Sequence, residues 1–148
     1  DRSPDASLSI AHSFANKDKR FRVIEHEVNK GLSAARNTGL AAASGTYVQF
    51  LDGDDMLATD AIETRLRAAL LHESDRTVAG SYGSHAIVGS AFRELKKGVA
   101  APNDRAIDFY TSRGACPFVS HAPMLLREVL LRAGGFDESW TTTEDHEL

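Results

Sequence analysis

The segment Thr46-Tyr47-Val48-Gln49-Phe50-Leu51 is a β-prone apolar run that stops abruptly at Asp52-Gly53-Asp54-Asp55. A buried strand of this kind ends at the rim of its sheet, where open α/β folds hold their ligands. Asp52, Asp54 and Asp55 repel one another there, a cost that a bound cation relieves. Hard oxygen donors suit Mg²⁺ or Mn²⁺, above all when phosphate oxygens complete the coordination. The run therefore points to an α/β layout, with a metal–phosphate site as one reading of the strand end. Two plainer readings stand beside it. Asp-Gly is a hairpin-turn dipeptide, and turn acids are commonly solvated. A calcium loop would use Asp52, Asp54 and Glu63, but Met56 and Leu57 stand where its next ligand and its glycine belong.

The flanking sequence fits the α/β layout. Residues 3–16 read as a helix with Ser3 or Asp5 as cap, Pro4 in its first turn and an apolar face of Leu8, Ala11, Phe14 and Ala15. Residues 21–26 read as a strand, Asn29-Lys30-Gly31 as a turn, and 32–43 as a helix closed by Gly45. After the strand at 46–51, Asp60 and Glu63 form a capping-box pattern for a helix reaching about His72. Residues 76–82 and 85–88 are β-like, 93–110 read mostly as loop with a short helix, 124–126 as a strand, and 127–133 as a helix ended by Gly134-Gly135. Helix–strand alternation implies parallel strands joined by right-handed crossovers, hence an α/β/α sandwich on a mainly parallel, mixed sheet. No repeat or linker divides residues 1–148, so we expect a single domain.

Composition narrows the function. A net charge of −4 leaves no basic surplus for general nucleic-acid binding, and the basic run at 17–22 reads as a solvated helix end. Cys116 is the only cysteine, which excludes an intramolecular disulfide and fits a reducing compartment; a small buried side chain is its plainest role. No apolar run approaches the roughly 20 residues that span a bilayer, and the polar start at Asp1 does not look like a signal peptide.

Two further constellations carry polar groups. Within Asn29–Gly39, Arg36 and Asn37 interrupt a helix of small residues; an exposed arginine on a solvated face is the plain reading. Gly134-Gly135-Phe136-Asp137-Glu138 precedes Glu144-Asp145-His146-Glu147, whose acids suit a helix start, a general base or, with His146, a metal ligand.

Taken together and in this order, the motifs resemble the family 2 glycosyltransferases of the GT-A fold. Asp1-Arg2-Ser3-Pro4-Asp5 resembles the family's DGSxD segment, and Asn29–Gly39 its NxGxxxARNxG segment. Leu51–Asp55 resembles its aspartate-rich motif, and Gly134–Glu138 with Glu144-Asp145 its GGFDE…ED ending. The resemblance implies an inverting enzyme that moves a sugar from a nucleotide-diphosphate sugar, with uridine as the expected base, to an acceptor hydroxyl with the help of Mn²⁺ or Mg²⁺. It implies Asp1 at the base, Arg36 beside the base or diphosphate, Asp52 at the ribose and Asp54 on the metal, with Asp55 in the same charge cluster. Asp145 would be the general base and Glu144 would shape the acceptor site. Residues 1–60 would form the nucleotide-binding half and 76–148 the acceptor-side half.

The same resemblance leads us to expect a strand ahead of Asp1 and further chain beyond Leu148. Glycan, lipid-linked or protein acceptors fit it, as does bacterial surface-glycan assembly in the cytoplasm, at the inner face of the membrane, with attachment through other segments. His121 lies where related sequences carry an acceptor-side loop, and Trp140 is a candidate for stacking on a sugar; packing is the plainer role for both. Arg2 stands where the family usually has glycine, and its long side chain is placed to crowd the base or reach a phosphate. Two other readings remain: a nucleotide-binding module without turnover, and a metal-dependent nucleotidyltransferase.

Overall fold

Helix α2 (Leu32–Ala42) buries Ser33, Ala34, Arg36 and Leu40, of which Ser33, Arg36 and Leu40 recur at helical spacing along one face. Small side chains at 33 and 34 let its first turn pack closely. The computed structural model describes residues 1–72, 74–75, 78–88, 94–98 and 123–139. They belong to two units, one made of Asp1–Ala43 with the chain from Gly134, the other of Ser44–Ala133.

In the first unit, helix α1 (Ser7–Lys17) precedes α2. It starts later than the sequence pattern predicts. Ala6 holds the N-cap position without a side-chain bond, while the Asp5 carboxylate accepts the Ser7 N–H at 2.9 Å. That contact with Ser7 holds the Asp5 carboxyl below its ordinary range. Residues 21–26, expected as a strand, have no ladder partner among the described residues. A β-capable sequence becomes a strand only when a neighbour supplies the other half of its hydrogen bonds. The basic side chains of the run at 17–22 are exposed, in keeping with the reading of a solvated helix end, though Arg22 also reaches α2. Arg20 pairs with Asp18 at 2.6 Å, Lys17 lies 6.0 Å from the Phe14 ring, and Arg22 Nη1 donates to the last carbonyl of α2, Ala42 O, at 2.9 Å. A cation at a helix C-terminus meets carbonyls that have no partner within the helix.

The second unit carries the sheet. Strand β1 (Tyr47–Gln49) is followed by α3 (Ala61–Leu70), β2 (Gly80–Ser81), β3 (His85–Val88), β4 (Glu94–Gly98), β5 (Met124–Leu126) and α4 (Arg127–Ala133). The α/β class is as the sequence implies, but the described ladders are antiparallel. Strand β5 lies between β1 and β2, pairing Tyr47 with Leu126 on one side and Gly80 with Leu125 on the other. Strands β1 and β2 therefore run in the same direction while both oppose β5. Strands β3 and β4 form a separate antiparallel pair with an irregularity between Ile87 and Val88. Part of the stretch read as loop, Glu94–Gly98, is thus a strand, because β3 offers it an edge.

Three contacts tie these layers. Ser81 Oγ donates to Arg65 O at 2.7 Å, joining β2 to α3. Gly80 passes so near β5 that a Cβ there would run into Met124 O and Leu125 Cα. Leu130 of α4 and Pro123 ahead of β5 are fully buried, and Met124 and Ala69 are buried as well. The expected capping box at Asp60 is not made; Glu63 instead pairs with Arg67 one turn on, at 2.6 Å. On the surface, an exposed i,i+4 pair of this kind contributes only a few tenths of a kcal/mol, about 0.3–0.5.

Leu130→Ala should destabilise the chain by about 2–5 kcal/mol, since it leaves a cavity at a fully buried site. Leu71→Ala, at a residue that is 80% exposed, should change stability by no more than about 0.5 kcal/mol. Urea unfolding of the two variants measures both.

Candidate functional site

The carboxylate of Asp1 closes the turn that opens α2. It accepts the Lys30 N–H at 2.9 Å and the Gly31 N–H at 2.8 Å, one on each oxygen. His26 Nδ1 lies 2.9 Å from Asp1 Oδ1, and its Nε2 lies 2.8 Å from Thr38 Oγ1 on α2. An ionised carboxylate only accepts, so Nδ1 is the donor to Asp1. The imidazole is nearly buried, its side chain 9% exposed against 17% for Asp1. A negative charge at these N–H groups also suits the positive end of the helix. A carboxylate offers about four acceptor positions, and the three donors leave it little capacity beyond one more.

Arg2 follows with φ at 50°, in the left-handed region that side-chain-bearing residues rarely adopt. Glycine enters that region without a steric cost, which gives a physical reason for glycine at this place in the resembling family. The Arg2 side chain reaches the segment ahead of α2, where Nη1 donates to Glu27 O.

Arg36 is not on a solvated face. It is 5% exposed, and its guanidinium lies 5.3 Å from the centre of the Phe136 ring. Asn37 beside it engages the same segment through three hydrogen bonds. The Phe136 N–H donates to Asn37 Oδ1 at 2.9 Å, Asn37 Nδ2 donates to Phe136 O at 2.8 Å, and Nδ2 also donates to Glu138 Oε1 at 2.9 Å. The side-chain amide thus pairs with Phe136 as a neighbouring strand would. Gly134 and Gly135, with φ of 94° and 75°, turn the chain into place. Beyond them, Asp137 Oδ1 accepts the Ser139 N–H at 2.8 Å, and its contacts with Ser139 hold the Asp137 carboxyl below its ordinary range.

In the second unit, the Asp55 N–H donates to Asp52 O at 3.1 Å. This closes a turn with Gly53 and Asp54 exposed at its corners and Asp52 and Asp55 partly covered. The turn leads from β1 towards α3 and does not join two strands of a hairpin. Glu63, the last ligand of the calcium-loop reading, lies on α3 paired with Arg67. Among the described residues, no three His, Cys, Asp or Glu side chains are grouped as a ready metal cage. Glu144, Asp145, His121, Trp140 and Cys116 lie outside the described residues.

Asp1 and Arg36 are therefore in the first unit, held to α2 and to the Gly134–Glu138 segment, while Asp52 and Asp54 are in the second. Sequence reasoning missed the roles of His26 and Asn37. A polar pair inside a helix of small residues was the available signal for Asn37, but its partner lies 99 residues away.

A sequence model described as "Glycosyl transferase family 2" matches residues 1–133. The chain is 44% identical over 82 residues to a Bacillus subtilis protein named "Uncharacterized glycosyltransferase EpsJ", covering 55% of this chain and 24% of that one. An "Uncharacterized glycosyltransferase" of Haemophilus influenzae is 33% identical over 111 residues, 75% of this chain and 42% of its own length. The "Putative teichuronic acid biosynthesis glycosyltransferase TuaG" of Bacillus subtilis is 32% identical over 108 residues, 73% and 41% of the two chains. The chain thus spans less than half the length of each of these relatives.

Gly135→Ala should cost about 1–3 kcal/mol. Its φ is positive, and an added Cβ would lie 2.5 Å from Asn37 Oδ1. Chemical denaturation reads the loss directly.

Proposed function

The chain belongs to glycosyl transferase family 2, and from that premise we propose that it transfers a sugar from a nucleotide-diphosphate donor, UDP-linked in our reading, to an acceptor hydroxyl. The names of its relatives support assembly of a bacterial surface glycan as the setting, one of them being a putative teichuronic acid enzyme. The observation that carries the reading is the exposed turn at Asp52–Asp55 on the exit of β1, within the span that the family matches.

Each named residue has a chemical task in this proposal. Asp52 accepts hydroxyl protons of the ribose, and Asp54 is the metal ligand. Asp54 fits that task because Mg²⁺ and Mn²⁺ are hard ions often held by one or two carboxylates, with phosphate oxygens and water completing the shell. A ready cage is not required. A Mg²⁺ or Mn²⁺ held by Asp54 would supply positive charge to offset that of a departing diphosphate. Asp1 enters with its carboxylate already fixed by Lys30, Gly31 and His26, which leaves capacity for about one further donor such as a base N–H. Arg36, buried against Phe136, supports the nucleotide side by packing as well as by charge. Asp145 takes the acceptor's proton, since a hydroxyl is a weak nucleophile until a base removes it. Attack from the face opposite the diphosphate inverts the anomeric centre. Glu144 shapes the acceptor site. No helix among the described residues is long and apolar enough to cross a membrane; we place the enzyme at the cytoplasmic face of one, held there by other segments.

Asp54→Ala should abolish metal-dependent binding of UDP while leaving thermal unfolding unchanged; calorimetry with Mn²⁺ showing unaltered affinity would refute the ligand assignment. Asp145→Asn should keep UDP binding and lower turnover about 100-fold or more. Its full activity would remove Asp145 from the mechanism, and release of pyrophosphate in place of UDP would identify nucleotidyl transfer instead.

A further inference from the structure

We propose that His26 is a positioning residue for nucleotide recognition: it completes the fixing of the Asp1 carboxylate and leaves Oδ2 as the oxygen that accepts a base N–H. The proposal rests on the reading of Asp1 as the contact to uracil. Three donors converge on this carboxylate. Oδ1 accepts from His26 Nδ1 and from the Lys30 N–H, both at 2.9 Å. Oδ2 accepts from the Gly31 N–H at 2.8 Å and takes only the longer arm of the Lys30 N–H, at 3.1 Å. Each carboxylate oxygen offers about two acceptor positions, so Oδ1 is filled and the remaining capacity is on Oδ2.

The two backbone donors belong to successive residues of one turn. Contacts on one side define an axis about which a carboxylate can still swing, and a contact from another segment removes that freedom. His26 supplies it from the chain ahead of the turn. Its ring is braced in turn, with Nε2 2.8 Å from Thr38 Oγ1 on α2 and the side chain 9% exposed. With the Nδ1 proton committed to Asp1, Nε2 of a neutral ring accepts the Thr38 hydroxyl proton. Asp1 is thereby tied to α2 twice, at its N-cap Gly31 and, through the imidazole, at Thr38. Arg36, the other residue assigned to the nucleotide side, stands on the same helix. His26 thus keeps Asp1 in a fixed relation to the helix that carries Arg36, and an acceptor already in place loses less freedom when a base arrives.

Asn and Gln separate the roles of the two ring nitrogens. Asn carries its amide nitrogen as many bonds from Cβ as Nδ1, and Gln carries its own as many as Nε2. His26→Asn therefore keeps a donor for Asp1, whereas His26→Gln keeps the reach to Thr38 and lacks that donor. Affinities of the full-length enzyme for UDP and CDP with Mn²⁺ are measured by calorimetry, beside thermal unfolding. Uracil offers an imide N–H, and cytosine has no proton at that ring position. For His26→Gln we expect UDP affinity to fall about 10-fold, the scale of a hydrogen bond to a charged group, with CDP affinity within about twofold. His26→Asn should bind UDP within about threefold of the wild type. Adding His26→Gln to Asp1→Ala should cause no further loss, because the imidazole acts through the carboxylate. Should neither His26 variant fold, Thr38→Val, which removes the hydroxyl brace, should weaken UDP binding and spare CDP binding.

With UDP binding weakened in Asp1→Ala, three results would each overturn the positioning role alone. These are equal losses for UDP and CDP, a His26→Asn enzyme that binds UDP no better than His26→Gln, and a further loss on the Asp1→Ala background. Unaltered UDP affinity in Asp1→Ala, or a wild type with no preference for UDP over CDP, would overturn the reading of Asp1 and the proposal with it.

Discussion

The amide of Asn37 joins parts of the chain 99 residues apart, and the first unit is organised around that junction. It works because both groups of one peptide are satisfied by one side chain, in a place where an unmatched buried N–H or C=O would cost about 1–3 kcal/mol. Arg36 adds a face-on contact with the Phe136 ring from the same helix. The small residues of α2 allow this, since Ser33 and Ala34 are buried along with Arg36 and Leu40 and keep the helix close to its surroundings. The same helix receives Asp1 at its start, His26 at Thr38 in its middle and Arg22 at its end. Helix α2 thus joins residues that a linear reading assigns to separate motifs.

That arrangement changes what the first motif means physically. Asp1 is a ligand of backbone N–H groups before it is a ligand of anything else, and His26 holds it from the other side. In the nucleotide-binding role we propose for Asp1, a carboxylate fixed in this way would need no reorientation, the form of preorganisation that reduces the entropic cost of binding. Arg2, in its left-handed conformation, donates from its guanidinium to Glu27 O, 25 residues further on.

In the second unit the controlling element is β5. It enters late in the chain, lies between β1 and β2, and is extended at both margins by Leu126 N–H to Ala79 O and Arg127 N–H to Thr46 O, at 2.7 and 2.9 Å. Because β5 holds β1 in register, it also fixes where β1 ends and hence where the Asp52–Asp55 turn begins. The exposed carboxylate of Asp54 therefore depends on a strand some 70 residues later in the sequence, on the register that pairs Gln49 with Met124.

Local chemistry was legible in the sequence by itself. The small-residue helix at 32–42, the strand ending at the aspartates, the helix at 127–133 and the glycine pair after it follow from periodicity and turn chemistry, which act over a few residues. The ordered motifs also identified the family. Cap positions were less secure, as Ala6 and Asp60 show, because several nearby polar groups compete for the same N–H donors. Only the tertiary structure decided that β5 separates β1 from β2, that Arg36 is buried, and that Asn37 and His26 bind distant partners. Pattern in a sequence records which face of an element is apolar, whereas a hydrogen bond across 99 residues depends on where two elements meet in space.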